Sequence, residues 1–204
     1  MRALLNKEFI VNRKTQLLSL LIYLIISFLL NEGGLSLWMA PVFTIKRLDI
    51  HERSDEKNES WQLINSLPVS RTQVLQSKFL FNFITSCVYI LIPALINYLV
   101  PSFETTSLST ILLYLSLCAV LITVYHLLYL LFGPKVVGVV FILLFGFIIG
   151  AGPAILESSL AQNILTSLSS RSATSIQLLV SAILLAISAG VFSITLSRFK
   201  KMDL

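Results

Sequence analysis

Four stretches of this chain, Phe79 to Val100, Leu108 to Phe132, Val136 to Leu156 and Ile176 to Leu196, contain no Lys, Arg, Asp or Glu. Each is close to or above the roughly 20 residues that a helix needs to cross the hydrocarbon core of a bilayer. In a chain of 204 residues, 56% of them apolar and 12% charged, such runs exclude an ordinary soluble domain. The expected fold class is an all-α integral membrane protein, a single transmembrane domain over residues 1–204. There is room for about six spans of roughly 20 residues, short connections and one small polar feature, but not for a separate catalytic domain.

The N-terminal third supplies the other spans. Residues Arg2 to Lys14 interleave basic side chains with Leu4, Leu5, Phe9, Ile10 and Val11, a spacing suited to a helix lying in the membrane interface over residues 1–15. A first span is expected at about Gln16 to Leu30. It is read as a retained span rather than a cleaved signal peptide, because no small-residue cleavage pattern follows it. Asn31 to Gly34 reads as a tight turn. A short second span, about Leu35 to Ile45, is expected to continue past the bilayer into a polar stretch.

With six spans, every Lys and Arg except Arg171 falls on one side. The excess of basic residues in cytoplasmic loops then puts both termini and the segment 46–78 in the cytoplasm. The net charge of +5 lies beside apolar segments, where it anchors topology and meets anionic headgroups. Nucleic-acid binding is therefore not expected.

Segment 46–78 holds 11 of the 25 charged residues and reads as two helices joined at a proline. Ser54-Asp55-Glu56 has the hydroxyl and acids suited to a helix N-terminus. Trp61, Ile64 and Leu67 follow at spacings of three along one side, and Pro68 ends that element. Ser70 with Gln73 forms a capping-box pattern, stapled by Val69 and Val74, so a second helix restarts and runs into the apolar stretch from Phe79. The result is a polar-then-apolar elbow fixed to a membrane helix. Trp61, Ile64 and Leu67 are equally suited to a partner, to the lipid interface or to the protein's own core.

Catalytic parts are missing from the pattern. The sequence has no HExxH, GxSxG or GxxxxGK[ST] motif and no paired carboxylates inside the spans. His51 has no second His or Cys at ligand spacing, so no metal is expected. Asn82, Asn97 and His126 are expected to make hydrogen bonds between helices, and Cys87 and Cys118 to be free apolar side chains. Gly146 and Gly150 suggest close helix packing, with a helix break at Gly152-Pro153.

The run Asp55-Glu56-Lys57, Trp61, Leu67-Pro68-Val69-Ser70-Arg71, Val74 and Ser77-Lys78 resembles the signature between the second and third spans of small bacterial ABC-2 type transporter permeases. Leu5-Asn6-Lys7-Glu8-Phe9 resembles their starts. The resemblance implies a membrane subunit of an ATP-binding-cassette exporter in the bacterial cytoplasmic membrane, pairing with itself or a sister permease. It also implies separate ABC ATPase subunits that bind ATP and magnesium and engage the 46–78 elbow; this chain would carry no cofactor. Asp55, Glu56, Trp61, Ile64, Leu67, Pro68 and Arg71 are then the expected coupling residues, and peptides or amphipathic compounds the expected cargo. The alternative is a non-transporting immunity or assembly factor that binds another membrane protein.

Overall fold

The computed structural model describes residues 2–29, 34–57, 70–157 and 172–201. Among them every regular element is helical: α1 (Arg2–Leu29), α2 (Ala40–Lys57), α3 (Arg71–Leu99), α4 (Leu108–Glu157) and α5 (Ala173–Lys201). Helical segments Thr72–Leu99, Leu108–Gly133 and Ala173–Phe199 are long and apolar enough to cross a membrane. Their outward faces carry exposed large side chains, among them Leu91, Leu95, Leu112, Leu179 and Ile183, as expected where lipid rather than water is the solvent.

α3 is the hub, packing on α1, α2, α4 and α5. Its start follows local chemistry: the Ser70 hydroxyl accepts from the Gln73 N–H and the Gln73 side chain accepts from the Ser70 N–H, so the expected capping box is present. The helix ends at Val100, just before Pro101, which cannot extend it.

Three expected boundaries differ: the helix expected from about Leu35 begins at Ala40. The interfacial stretch 1–15 and the first span form one uninterrupted helix, α1. Ser54-Asp55-Glu56 does not open a helix, because α2 runs through it to Lys57. A cap-like local pattern is overridden here by tertiary ion pairs that hold the α2 backbone helical, with Glu52 and Asp55 both on Lys78. Trp61, Ile64, Leu67 and Pro68 lie outside the described residues.

α4 is interrupted at Gly133, whose φ of 76° and ψ of 172° are not helical, a conformation that glycine adopts without a Cβ penalty. In a continuous helix Tyr125 and Phe141 would be about 24 Å apart, yet their ring centroids are 5.7 Å apart. The chain therefore doubles back at Gly133-Pro134, giving two arms packed side by side. Ile122 and Tyr125 of the first arm and Val137 and Phe141 of the second share one core with Ile45 and Leu48 of α2. No break occurs at Gly152-Pro153, which α4 traverses. A Cβ on Gly146 would meet nothing within 4 Å, so close packing at that glycine is not formed within the described residues.

A second core joins Tyr23, Ala40, Tyr89, Ile90 and Cys118. Both cysteines are free. Beyond this core the tip between α1 and α2 is tied to α3. Asn97 donates to the Leu35 carbonyl at 2.8 Å and accepts from the Leu35 N–H at 2.7 Å, so it clamps the segment before α2 rather than bonding another helix as expected. Gly34 beside it has φ 139° and no space for a side chain, since a Cβ would lie 2.9 Å from Asn97 Oδ1.

Candidate functional site

A group of charged side chains is buried where α1, α2 and α3 converge, at the end of the bundle opposite Asn97. α2 contributes His51, Glu52 and Asp55, which its helical spacing turns toward its neighbours; all three are buried. α1 contributes Lys7 and Glu8, α3 contributes Lys78, and His126 arrives from the first arm of α4.

Lys78 is the centre. Its ammonium lies 2.8 Å from Glu52 Oε2 and 2.7 Å from Asp55 Oδ2, with its side chain only 2% exposed. Glu8 Oε2 and His51 Nε2 are 2.6 Å apart. Lys7 reaches Glu8 at 3.5 Å and Asp55 at 3.9 Å, and His126 Nε2 stands 3.9 Å from Glu52 Oε1. His126 anchors itself within its own helix through Nδ1 and the Ile122 carbonyl, rather than through the expected bond between helices. The Asn82 amide is buried with no hydrogen-bond partner among the described residues. Arg47 lies over the Phe81 ring, 4.7 Å from its centroid.

Burying charges is costly unless they are matched, and at Glu8 and Asp55 the match outweighs the burial. Burial raises the Glu8 carboxyl, but the His51 hydrogen bond with the charges of His51, Lys7 and Lys78 more than offsets this and holds it below the usual carboxylate value. Asp55 is likewise held low, because Lys78 outweighs its burial. Glu8, His51 and Asp55 bring donor atoms within 4.8 Å of one another, a spacing that a metal ion would accept. The same carboxylates already face Lys7 and Lys78, so the chain's own cations balance the charge, and the arrangement is that of a structural lock.

Along α3 the rise from Lys78 to Asn97 is about 28 Å, close to the roughly 30 Å thickness of a hydrocarbon core. The charged end and the Asn97 end therefore form two polar levels one membrane apart. Of the residues expected to couple to a partner, Asp55 belongs to this network with its carboxylate turned inward. Glu56 follows it near the end of α2, and Arg71 opens α3 one residue after the cap. Glu8, His51, Glu52, Lys78 and His126 were not among the expected site residues. Continuing the α2 helix through residue 57 puts His51 and Asp55 four apart on one face, a signal that would have exposed part of the cluster.

Comparison with curated proteins and with solved structures returns no match. The family model described as ABC-2 family transporter protein matches residues 3–199, and this multi-pass membrane chain belongs to the ABC-2 transporter family.

Proposed function

We propose that the chain is the transmembrane subunit of an ATP-binding-cassette exporter, with six spans, both termini in the cytoplasm and segment 46–78 as the elbow that receives the ATPase. The observation that carries this reading is the buried ion network, which ties α1, α2 and α3 together at the end where the elbow begins and ends. A push on the elbow is then delivered to three helices at once rather than absorbed at one joint. Glu56, Trp61, Ile64, Leu67, Pro68 and Arg71 are the contact residues in this reading, and Asp55 acts from within by holding α2 to α3. Two copies, or this chain and a sister permease, enclose the path; peptides or amphipathic compounds are the cargo. ATP and magnesium are handled by the partner ATPase.

Affinity capture of the tagged chain from membranes in mild detergent is expected to recover an ATPase subunit in stoichiometric amount. Pro68→Ala and Trp61→Ala are expected to leave insertion intact and to abolish the dependence of export on ATP hydrolysis. A chain recovered alone, or with a different membrane protein, points instead to an immunity or assembly factor.

A further inference from the structure

The two faces of α1 differ sharply. Ser19, Tyr23 and Ser27, four residues apart, point into the bundle: the Ser19 and Tyr89 hydroxyls are 2.5 Å apart, Tyr23 is fully buried, and Ser27 donates to the Ser36 carbonyl at 2.7 Å. On the opposite face two ridges of side chains at spacings of four run along the helix. One is Arg13, Leu17, Leu21 and Ile25; the other is Lys14, Leu18 and Ile22. Every one of these side chains is exposed. Each apolar ridge is therefore headed by a cation.

The depth of these cations follows from α1 being uninterrupted. Glu8 belongs to the charged network and Ser27 to the opposite end, beside the Asn97 clamp. They are about 28 Å apart along the helix, the separation already found between Lys78 and Asn97. Arg13 and Lys14 then lie about 8 Å inside the level of Glu8, on the flank of a membrane-crossing helix and not at the end of a separate interfacial one. Neither has a hydrogen bond or an ion pair among the described residues. Glu8, the nearest carboxylate on their own helix, already faces His51 and Lys7. An exposed cation at that depth is expensive unless it snorkels to an interface or meets an anion.

We propose that this face of α1 holds one anionic phospholipid of the cytoplasmic leaflet. Its phosphate lies between Arg13 and Lys14, and one acyl chain lies in the furrow between the two ridges. From Arg13 to Ile25 the helix rises about 18 Å, enough to cover one leaflet's half of a roughly 30 Å core. Charge selects the headgroup: two cations without a carboxylate of their own favour an anionic lipid, and a zwitterionic lipid would bring its own ammonium against them. The apolar furrow selects a lipid over a free phosphate. The choice of leaflet rests on the orientation proposed above. The lipid preference itself depends on neither ATPase nor transport and is measured on the full chain alone, so it can fail while the exporter reading stands.

The chain has two tryptophans, so in a background of Trp38→Phe and Trp61→Phe the change Leu21→Trp puts the only reporter on the furrow. In phosphatidylcholine vesicles, phosphatidylglycerol brominated in its acyl chains is expected to quench this reporter with an association about fivefold or more above that of brominated phosphatidylcholine, fivefold being the effect of one basic residue. Ile183→Trp in the same background reports from the exposed face of α5, about 22 Å along the helix from Arg198, and is expected to give a ratio near one. Arg13→Gln with Lys14→Gln should bring the Leu21→Trp ratio near one as well. Should that pair of changes prevent insertion, Lys14→Gln alone must lower the ratio. Equal quenching by the two lipids at Leu21→Trp overturns the proposal, as does a preference that ignores the substitutions or is matched at Ile183→Trp. Quenching by neither lipid, the outcome if a second copy of the chain covers this face, also overturns it. Loss of the preference on adding inorganic phosphate would assign the cations to a free anion and overturn the lipid.

Discussion

Lys78 has to satisfy two carboxylates with one ammonium, and this makes it the most sensitive residue of the bundle. Lys78→Ala leaves Glu52 and Asp55 buried without their cation, at a cost of about 3–5 kcal/mol, read as a large fall in folded protein in detergent. Lys78→Met combined with Glu52→Gln and Asp55→Asn should recover much of that loss, because no charge is then stranded. Acid tests the same residues. Glu8 and Asp55 are held below the usual carboxylate value, so their stabilisation is full above the unfolded carboxylate range of about 4 and is lost as pH falls through the lower folded values. The contribution of these two carboxylates to thermal stability is expected to weaken as pH falls below about 4. Lys78 itself was legible as part of the Ser77-Lys78 motif. Its role was not, since its partners are more than twenty residues away and paired only once α2 and α3 pack.

At the scale of elements, the start of α3 was readable because its cap is local: Ser70 and Gln73 satisfy each other within one turn. Ser70→Ala is expected to cost about 1 kcal/mol and, in the proposed exporter, to lower export more than it lowers folded protein. The α1–α2 tip depends on Gly34 in the same local sense. Gly34→Ala needs a Cβ 2.9 Å from Asn97 Oδ1 at φ 139°. The expected loss is about 1–3 kcal/mol, measured against Asn97→Ala, which breaks the same clamp from the other side. The helix start expected at Ser54 was misread for the opposite reason. Ser54 looks like a cap, but a helix with partners on α1 and α3 has more to gain by continuing.

Across the whole molecule, two polar levels about 28 Å apart along α3 frame one membrane thickness, and the chain reverses at Gly133 between the arms of α4. The proposed orientation puts Ser70 inside and Ser102 outside. In a chain whose Cys87 and Cys118 are replaced by serine, Ser70→Cys is expected to react with an impermeant thiol reagent only in inside-out vesicles, and Ser102→Cys only in intact cells. The opposite pattern would invert the orientation.

The sequence by itself determined the class of the protein, because uncharged apolar runs leave lipid as the only workable solvent, and it determined the caps and breaks whose partners lie within one turn. It also carried the family, through residues spread along the elbow. Only the tertiary structure decided which charges meet, since ion pairs such as Glu8 with His51 join residues 43 apart. It likewise decided that α2 continues past residue 54 and that α1 runs unbroken past Arg13 and Lys14. Those outcomes depend on how helices pack against one another, and a helix's own sequence specifies its apolar face but not the neighbour that will cover it.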